Sequence, residues 1–363
     1  MTRTPISSAN EAILKPKVLT MNNPSYVEKE YLGRLQELVE FHVLEQDGHE
    51  ATAQKIKDAV EKNGSFVAFL VFMEWKHKER PFPLNENLVG SLVDSGCDLI
   101  ACGGAGFDWA DIPYLTSHGV YYANTPDSAA VRTADSTAMM ILQALSGSSE
   151  READARAGRW LNFDKLAKDV RRSTVGIIGM GNIGKLVAQH MHHFGMKIIY
   201  YNRSRLPSSD EEQFGKAEYV SFEEILVRSD VLTIHTPLNE STRHLLNRST
   251  FARMRDGIII VNTSRGPVIE EDALVEALES GKVLRAALDV YEFEPKIHPG
   301  LIKALNTTLL PHSAVANATI LQDQQTEVLA NLEAFLKTGK PNSPVNTPVS
   351  RGEESSAGRC HIA

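Results

Sequence analysis

The chain has 363 residues, 42% of them hydrophobic and 23% charged, with a formal net charge of -8, which suits the cores of about two domains. The acidic balance offers no electrostatic footprint for nucleic acid or an anionic membrane. The longest apolar run, Phe66 to Met73, is far shorter than the ~20 residues of a membrane span, the N-terminal residues carry no apolar signal segment, and Cys97, Cys102 and Cys360 form neither a disulfide framework nor a metal set, so a soluble cytoplasmic protein is expected.

Strands are predicted at Lys17–Thr20, Ser65–Phe72, Asp98–Ala101 and Val120–Ala123, after which Pro126 closes the region. A long Ala-rich helix follows over Asp127–Leu145, capped by Asp127 or Ser128 and ended at Ser146–Ser149. Arg151–Arg172 is charged, with Trp160 and Leu161 inside it, and reads as a surface excursion or a dimer arm. The rhythm then becomes regular, with strands at Val175–Ile178, Lys197–Tyr201, Val231–His235, Gly257–Val261, Ala286–Val290 and Thr308–Leu310. Ser221-Phe222-Glu223-Glu224 has the form of a capping box, and Glu270–Ser280 is a helix stopped by Gly281. Gly257–Val261 is apolar after its glycine, as a strand buried on both faces must be. This alternation predicts an α/β protein of two doubly wound parallel sheets covered by helices. The helix Leu321–Leu336 can return to the first domain, making that domain discontinuous (1–125 and 315–340) around a second domain (126–314), with the active site in the cleft between them. Residues 341–363, rich in Pro, Ser and Gly, are expected to be disordered.

The most informative segment is Val175-Gly176-Ile177-Ile178-Gly179-Met180-Gly181-Asn182-Ile183-Gly184, a G-x-G-x-x-G turn set between a buried strand and a helix. Gly179 permits the tight turn, Gly181 lets a pyrophosphate approach the backbone, and Gly184 lets helix and strand pack closely. The helix N-terminus presents N–H groups and partial positive charge to phosphates.

Four further motifs follow in order: Thr233-Ile234-His235-Thr236-Pro237-Leu238, Val261-Asn262-Thr263-Ser264-Arg265-Gly266-Pro267, Leu288-Asp289-Val290-Tyr291-Glu292-Phe293-Glu294-Pro295, and Leu310-Pro311-His312. With the glycine turn, they make the chain resemble the NAD(P)-dependent D-isomer-specific 2-hydroxyacid dehydrogenase family from roughly Lys17 to Pro341. Gly104-Ala105-Gly106-Phe107-Asp108-Trp109 looks most like its fungal D-mandelate dehydrogenase-like branch. The resemblance implies a flavodoxin-like substrate domain, a Rossmann cofactor domain, and hydride transfer between a nicotinamide cofactor and a 2-keto or 2-hydroxy acid. It also implies a homodimer, with Arg151–Arg172 as the place to look for the interface.

The roles of the key residues follow from their chemistry. Arg265 lies just past a buried strand, where doubly wound sheets hold ligands, and its planar fork can grip a substrate carboxylate and polarise the neighbouring carbonyl. His312 can protonate the carbonyl oxygen as hydride arrives at carbon, and Glu294 is the carboxylate that orients it. The resemblance gives Arg265, Glu294 and His312 these same catalytic roles. It places Gly179, Gly181, Asn182, Ile183, Gly184, Thr133, Thr236, Pro237, Thr242, Thr263, Ser264 and Arg265 at the cofactor, and Asp289 at the nicotinamide amide. Ala105 and Gly106 are either a backbone grip for the substrate carboxylate, beside Arg265 and His312, or simply a glycine-rich turn.

Three features depart from the usual pattern. NAD-binding turns carry an acid about 20 residues on; here the second strand ends Tyr201-Asn202-Arg203-Ser204-Arg205. Without the acid, Arg203 and Arg205, helped by Asn202 and Ser204, would attract a 2′-phosphate, so NADP(H) is expected to be preferred and NAD(H) possible. Ser313-Ala314-Val315-Ala316 lacks the glycine many relatives carry after the catalytic histidine. His190-Met191-His192-His193 is read as cationic side chains at a helix C-terminus, not as a metal site.

Phe107 and Trp109, with Phe72, Met73, Glu74 and Trp75, either form an apolar pocket for an aromatic or branched keto acid or serve as core and lid packing. Glyoxylate or hydroxypyruvate is the alternative substrate, and an NAD(P)H-sensing corepressor-like protein of the same fold is the alternative function.

Overall fold

In the computed structural model, residues 15–72, 83–160, 166–317 and 319–349 are described. Met73, Glu74, Trp75, Leu161 and Cys360 lie outside them, as does the end of the expected tail, residues 350–363. The chain divides into two units, Met1–Thr125 with Leu321–Ala363, and Pro126–Ile320.

The first unit holds a five-stranded parallel sheet of β1 (Lys17–Met21), β2 (Glu40–Leu44), β3 (Ala68–Val71), β4 (Leu99–Cys102) and β5 (Tyr121–Ala123), in the order β2-β1-β3-β4-β5. This is the flavodoxin-like order, with its switch between β1 and β3. Alternate side chains of β1 enter different cores: Leu19 and Met21 join Ile56, Phe69 and Leu88, whereas Val18 joins Leu70, Leu99 and Val328. Helices cover both faces, so the central strands are apolar throughout. Val328, Leu329, Leu332 and Leu336 of the helix Ile320–Thr338 belong to the second of these cores.

Residues 341–349 correct the expectation of a tail disordered from residue 341. Val345 donates its N–H to the Tyr122 carbonyl (2.9 Å), and Asn346 Oδ1 accepts the Tyr122 N–H (2.8 Å). Polar composition suggested disorder, but long-range backbone pairing to an edge strand supplies the missing partners.

The second unit holds β6 (Thr174–Ile178), β7 (Lys197–Tyr201), β8 (Glu218–Tyr219), β9 (Val231–Ile234), β10 (Ile258–Asn262), β11 (Val283–Leu288) and β12 (Thr307–Leu309). All pair in parallel, in the order β12-β11-β10-β9-β6-β7-β8. The order reverses between β6 and β9, and such a switch point opens a ligand crevice beyond the carboxyl ends of the strands. In β10, Ile258 and Ile260 enter one core and Ile259 and Val261 the other. The Ser221 capping box forms as expected: Ser221 Oγ accepts the Glu224 N–H, and Glu224 returns a carboxylate oxygen to the Ser221 N–H. Part of the segment expected to be an excursion or arm is the helix Ser148–Arg156. Among the described residues, no helix is long and apolar enough to cross a membrane.

Candidate active site

The glycine turn sits at the switch point. Gly179 adopts φ +99°, and a Cβ there would lie 2.6 Å from the His235 carbonyl oxygen, so the end of β6 lies directly against the end of β9. A Cβ on Gly184 would approach the Gly179 carbonyl oxygen to 2.2 Å, whereas one on Gly181 would meet nothing within 4 Å. The first contact makes the close helix–strand crossing, and the second leaves open space at the start of the helix Asn182–His193, which no side chain caps. Asn182 donates its side-chain amide to Asp127 (3.1 Å), and Ile183 packs against the core. The arrangement fits a dinucleotide: an uncapped helix N-terminus, room for phosphate beside Gly181, and a buried Thr236 hydroxyl with no hydrogen-bond partner among the described residues, at the end of β9.

Around this turn the other expected cofactor residues are distributed as follows. Asn202 Oδ1 accepts the Met180 N–H at 2.7 Å, tying the end of β7 to the glycine turn. Arg203 and Ser204 are exposed. Arg205 forms two 2.9 Å guanidinium bonds to the Glu211 carboxylate, which also accepts the Tyr200 hydroxyl at 2.7 Å. These two donors, Arg205 first, hold the Glu211 carboxyl below its ordinary range. Pro237 offers its carbonyl to the Thr242 hydroxyl (2.6 Å). Thr263 and Thr137 share a 2.7 Å hydroxyl bond that joins β10 to the helix Pro126–Ser146, and Thr137 also donates to the Thr133 carbonyl.

Arg265, Glu294 and His312 follow β10, β11 and β12, three adjacent strands, all at their carboxyl ends. Glu294 Oε2 meets His312 Nδ1 at 2.8 Å, and the other carboxylate oxygen accepts the Tyr291 N–H at 2.9 Å. The carboxylate therefore accepts a hydrogen bond from Nδ1–H and leaves Nε2 as the working nitrogen. Glu294 is 8% exposed and His312 41%, so the acid is shielded while the imidazole reaches solvent. His312 itself has φ +53°, a left-handed conformation uncommon for a residue other than glycine.

Asp289 supports that conformation. Its two oxygens accept the N–H groups of Ser313 (2.7 Å) and Ala314 (2.9 Å). Burial pushes its carboxyl above the ordinary range, against the lowering effect of these two donors and of His312. Each oxygen retains a lone pair, so this bracing is compatible with a contact to a nicotinamide amide. Sequence reasoning overlooked Asn262, although it stands inside the motif that carries Arg265. Buried, it donates to the Arg265 carbonyl (2.9 Å) and accepts from both the N–H and hydroxyl of Ser264. His235 was overlooked as well. It is held by Thr233 Oγ1 at 3.0 Å, and burial pushes its imidazole down to about 3.

In the first unit, the Ala105 carbonyl accepts the Asn124 amide (2.7 Å) and the Gly106 carbonyl accepts the Trp109 indole N–H (3.2 Å), which fixes the orientation of this loop. Phe72 is 1% exposed within the core, and Trp109 stacks edge-on against Tyr122 (6.4 Å), so both pack in the core of this unit. Phe107 packs against the same core as Trp109. Among the described residues, no three His, Cys, Asp or Glu side chains converge as a metal site.

A dinucleotide turn at a switch point, followed by an arginine and a carboxylate-bound histidine at the ends of neighbouring strands, defines a nicotinamide-dependent oxidoreductase. Residues 138–314 match the family described as D-isomer specific 2-hydroxyacid dehydrogenase, NAD binding domain. A 4-methyl-2-oxopentanoate reductase of Aspergillus oryzae is 43% identical over 258 residues, covering 71% of this chain and 77% of the relative. The holo crystal structure of Rhodotorula graminis D-mandelate dehydrogenase superposes with a TM-score of 0.84 at 32% identity, covering 93% of this chain and 99% of that one. A glyoxylate reductase from Paecilomyes thermophila superposes with a TM-score of 0.82 at 34% identity, covering 91% and 98%. The chain belongs to the D-isomer-specific 2-hydroxyacid dehydrogenase family. It is an NAD(P)-dependent oxidoreductase of the 2-hydroxyacid dehydrogenase and 2-keto acid reductase type.

Proposed function

We propose that the protein reduces a branched or aromatic 2-keto acid to the D-2-hydroxy acid, with NADPH preferred over NADH, in the cytoplasm. The observation that carries this reading is the Glu294–His312 pair at 2.8 Å beside the strand end that bears Arg265. A bound reduced nicotinamide supplies the hydride. Arg265 grips the substrate carboxylate through its planar fork and polarises the adjacent carbonyl. His312 gives its Nε2 proton to the carbonyl oxygen, and Glu294 stabilises the imidazolium before that transfer and fixes the ring. The balance is one keto acid, one reduced cofactor and one proton in, and one hydroxy acid and one oxidised cofactor out.

The helix N-terminus at Asn182 and the open side of Gly181 hold the pyrophosphate, with Thr236, Pro237, Thr242, Thr263, Ser264 and Asp289 around the rest of the cofactor. Arg203, with Ser204 and Asn202, receives the 2′-phosphate; Arg205 acts behind them through Glu211. In the first unit, the Ala105–Gly106 loop is the candidate carboxylate-binding element. The relatives named for 4-methyl-2-oxopentanoate and mandelate support a bulky substrate. Trp160, 93% exposed in the expected arm, supports a homodimer formed there, which sedimentation of the wild type against Trp160→Ser tests.

The deciding experiment is a kinetic panel. Phenylglyoxylate, 4-methyl-2-oxopentanoate, glyoxylate and hydroxypyruvate are each assayed with NADPH and NADH, for the wild type and for His312→Ala. The expected outcome is highest kcat/KM for a bulky acid with NADPH, lost in the variant. Turnover confined to glyoxylate and hydroxypyruvate refutes the substrate class, and an equal or NADH-favouring ratio refutes the cofactor preference.

A further inference from the structure

Beside the site lies a cluster that the chemistry above leaves unused. His244 Nε2 meets Glu292 Oε1 at 2.6 Å. The other Glu292 oxygen accepts the Glu271 N–H (3.2 Å) at the start of the helix Glu271–Glu279, and Glu271 Oε1 in turn accepts the Glu292 N–H (2.8 Å). Two carboxylates thus clasp each other's backbone, with Glu271 3% exposed and the Glu292 side chain 10% exposed.

We propose that Glu292 is a positioning residue for the reductase reaction, clamping the backbone that leads to Glu294 onto the loop that carries Arg265. Three contacts meet at Tyr291–Glu292. A Cβ on Gly266 would lie 1.9 Å from the Tyr291 carbonyl oxygen, so the Arg265 loop rests directly on this backbone. The Tyr291 N–H holds Glu294, which holds His312. The Glu292 side chain reaches His244, whose own N–H is bonded to the Pro267 carbonyl (2.8 Å), two residues past Arg265. His244 takes φ +49°, a conformation rarely adopted outside glycine, and its carbonyl is also fixed by the Asn247 amide (2.9 Å). Glu292 therefore sits where the arginine loop and the glutamate–histidine loop are joined.

Simple fastening would not need this chemistry. Facing two carboxylates in a nearly buried site is unfavourable, and burial, with the Glu292 charge adding to it, pushes the Glu271 carboxyl above its ordinary range against the Glu292 N–H. What the arrangement secures is geometry, and displacement of a catalytic group by about 1 Å can cost two orders of magnitude in rate.

The inference rests on the reductase reading, and its test separates the two. Glu292→Ala, Glu292→Gln and His312→Ala are made in the full chain and loaded with NADPH. Steady-state kcat and KM, the NADPH dissociation constant and Tm are measured. In 15N-histidine-labelled protein, the Nδ1–H signal of His312 is assigned by its loss in His312→Ala. Glu292→Ala is expected to lower kcat at least about tenfold with NADPH affinity unchanged, and to broaden or displace the His312 signal. Gln can accept the Glu271 N–H and still reach His244, so Glu292→Gln is expected to restore both the rate and the signal. If Glu292 only caps the Glu271–Glu279 helix, Glu292→Ala will lower Tm while kcat and the signal stay as in the wild type, which overturns the proposal. Wild-type turnover in His312→Ala overturns the reductase reading instead, and the NMR signal then still decides whether the clamp exists.

Discussion

Asp289 accepts the Ser313 N–H at 2.7 Å, one residue beyond the histidine that Glu294 orients. Its second oxygen takes the Ala314 N–H, so a buried carboxylate at the end of β11 shapes the turn that follows β12. The histidine is consequently held from two sides, by Glu294 at its ring and by Asp289 at its backbone.

Asp289→Asn separates these supports. An amide has one oxygen for two donors and turns its NH2 against the other, leaving a buried N–H unsatisfied. The expected cost is about 1–3 kcal/mol in urea unfolding. Because the turn also sets the position of His312, kcat should fall by up to about 100-fold. A variant with the same stability and the same kcat as the wild type would show that this bracing is dispensable.

Gly184 and Gly181 make opposite predictions from one motif. At Gly184 an added methyl meets a backbone oxygen at 2.2 Å, which cannot rotate away. Gly184→Ala should destabilise the second unit by about 1–3 kcal/mol, as overpacking does, and weaken NADPH binding with it. At Gly181 the same methyl enters open space at φ -83°, which alanine tolerates. Gly181→Ala should keep its Tm and lose only NADPH affinity. Thermal unfolding and fluorescence titration on both variants check the pair.

Much of this site is legible in sequence because its parts are local. The run Val175–Ile178 is apolar because both faces of β6 are covered, and the glycines follow within a few residues. Glu40–Leu44 escaped notice because β2 lies at the sheet edge, where partial exposure blurs the apolar pattern. The contact that Arg205 makes is hidden from the sequence for a different reason. Its partner, Glu211, stands on the next helix, and nothing in the spacing shows that the helix turns that carboxylate back. Residues 341–349 were misjudged because their order depends on Tyr122, more than 200 positions away in the chain. Bonds made at long range leave no periodic signal.

His235 makes acid stability testable. Its imidazole is pushed down to about 3 by burial, against an unfolded value of about 6.5. Between those values the unfolded chain holds a proton that the folded chain refuses, so stability must fall as pH drops from about 6.5 towards 3. One such group contributes a slope approaching ~1.4 kcal/mol per pH unit within that window. His235→Gln should flatten the dependence of the urea midpoint between pH 6.5 and 4, relative to the wild type. Parallel curves would show that this imidazole titrates normally in the folded protein.

The two arginines after β7 should separate cofactor selection from local architecture. Arg203 is exposed beside Asn202 and the glycine turn, whereas the Nε–Nη2 edge of Arg205 is bonded to Glu211. A 2′-phosphate needs a cation whose donors can turn to it, and charge-assisted contacts of that kind are worth about 1.5–3 kcal/mol. Arg203→Ala should therefore lower kcat/KM for NADPH by about 10- to 100-fold and leave NADH nearly unchanged. Arg205→Ala should disturb the Tyr200–Glu211 contact and depress both cofactors alike, because it removes the support of the loop and not the phosphate ligand. A selective loss of NADPH in Arg205→Ala, with Arg203→Ala silent, would mean that the guanidinium leaves Glu211 when the cofactor binds.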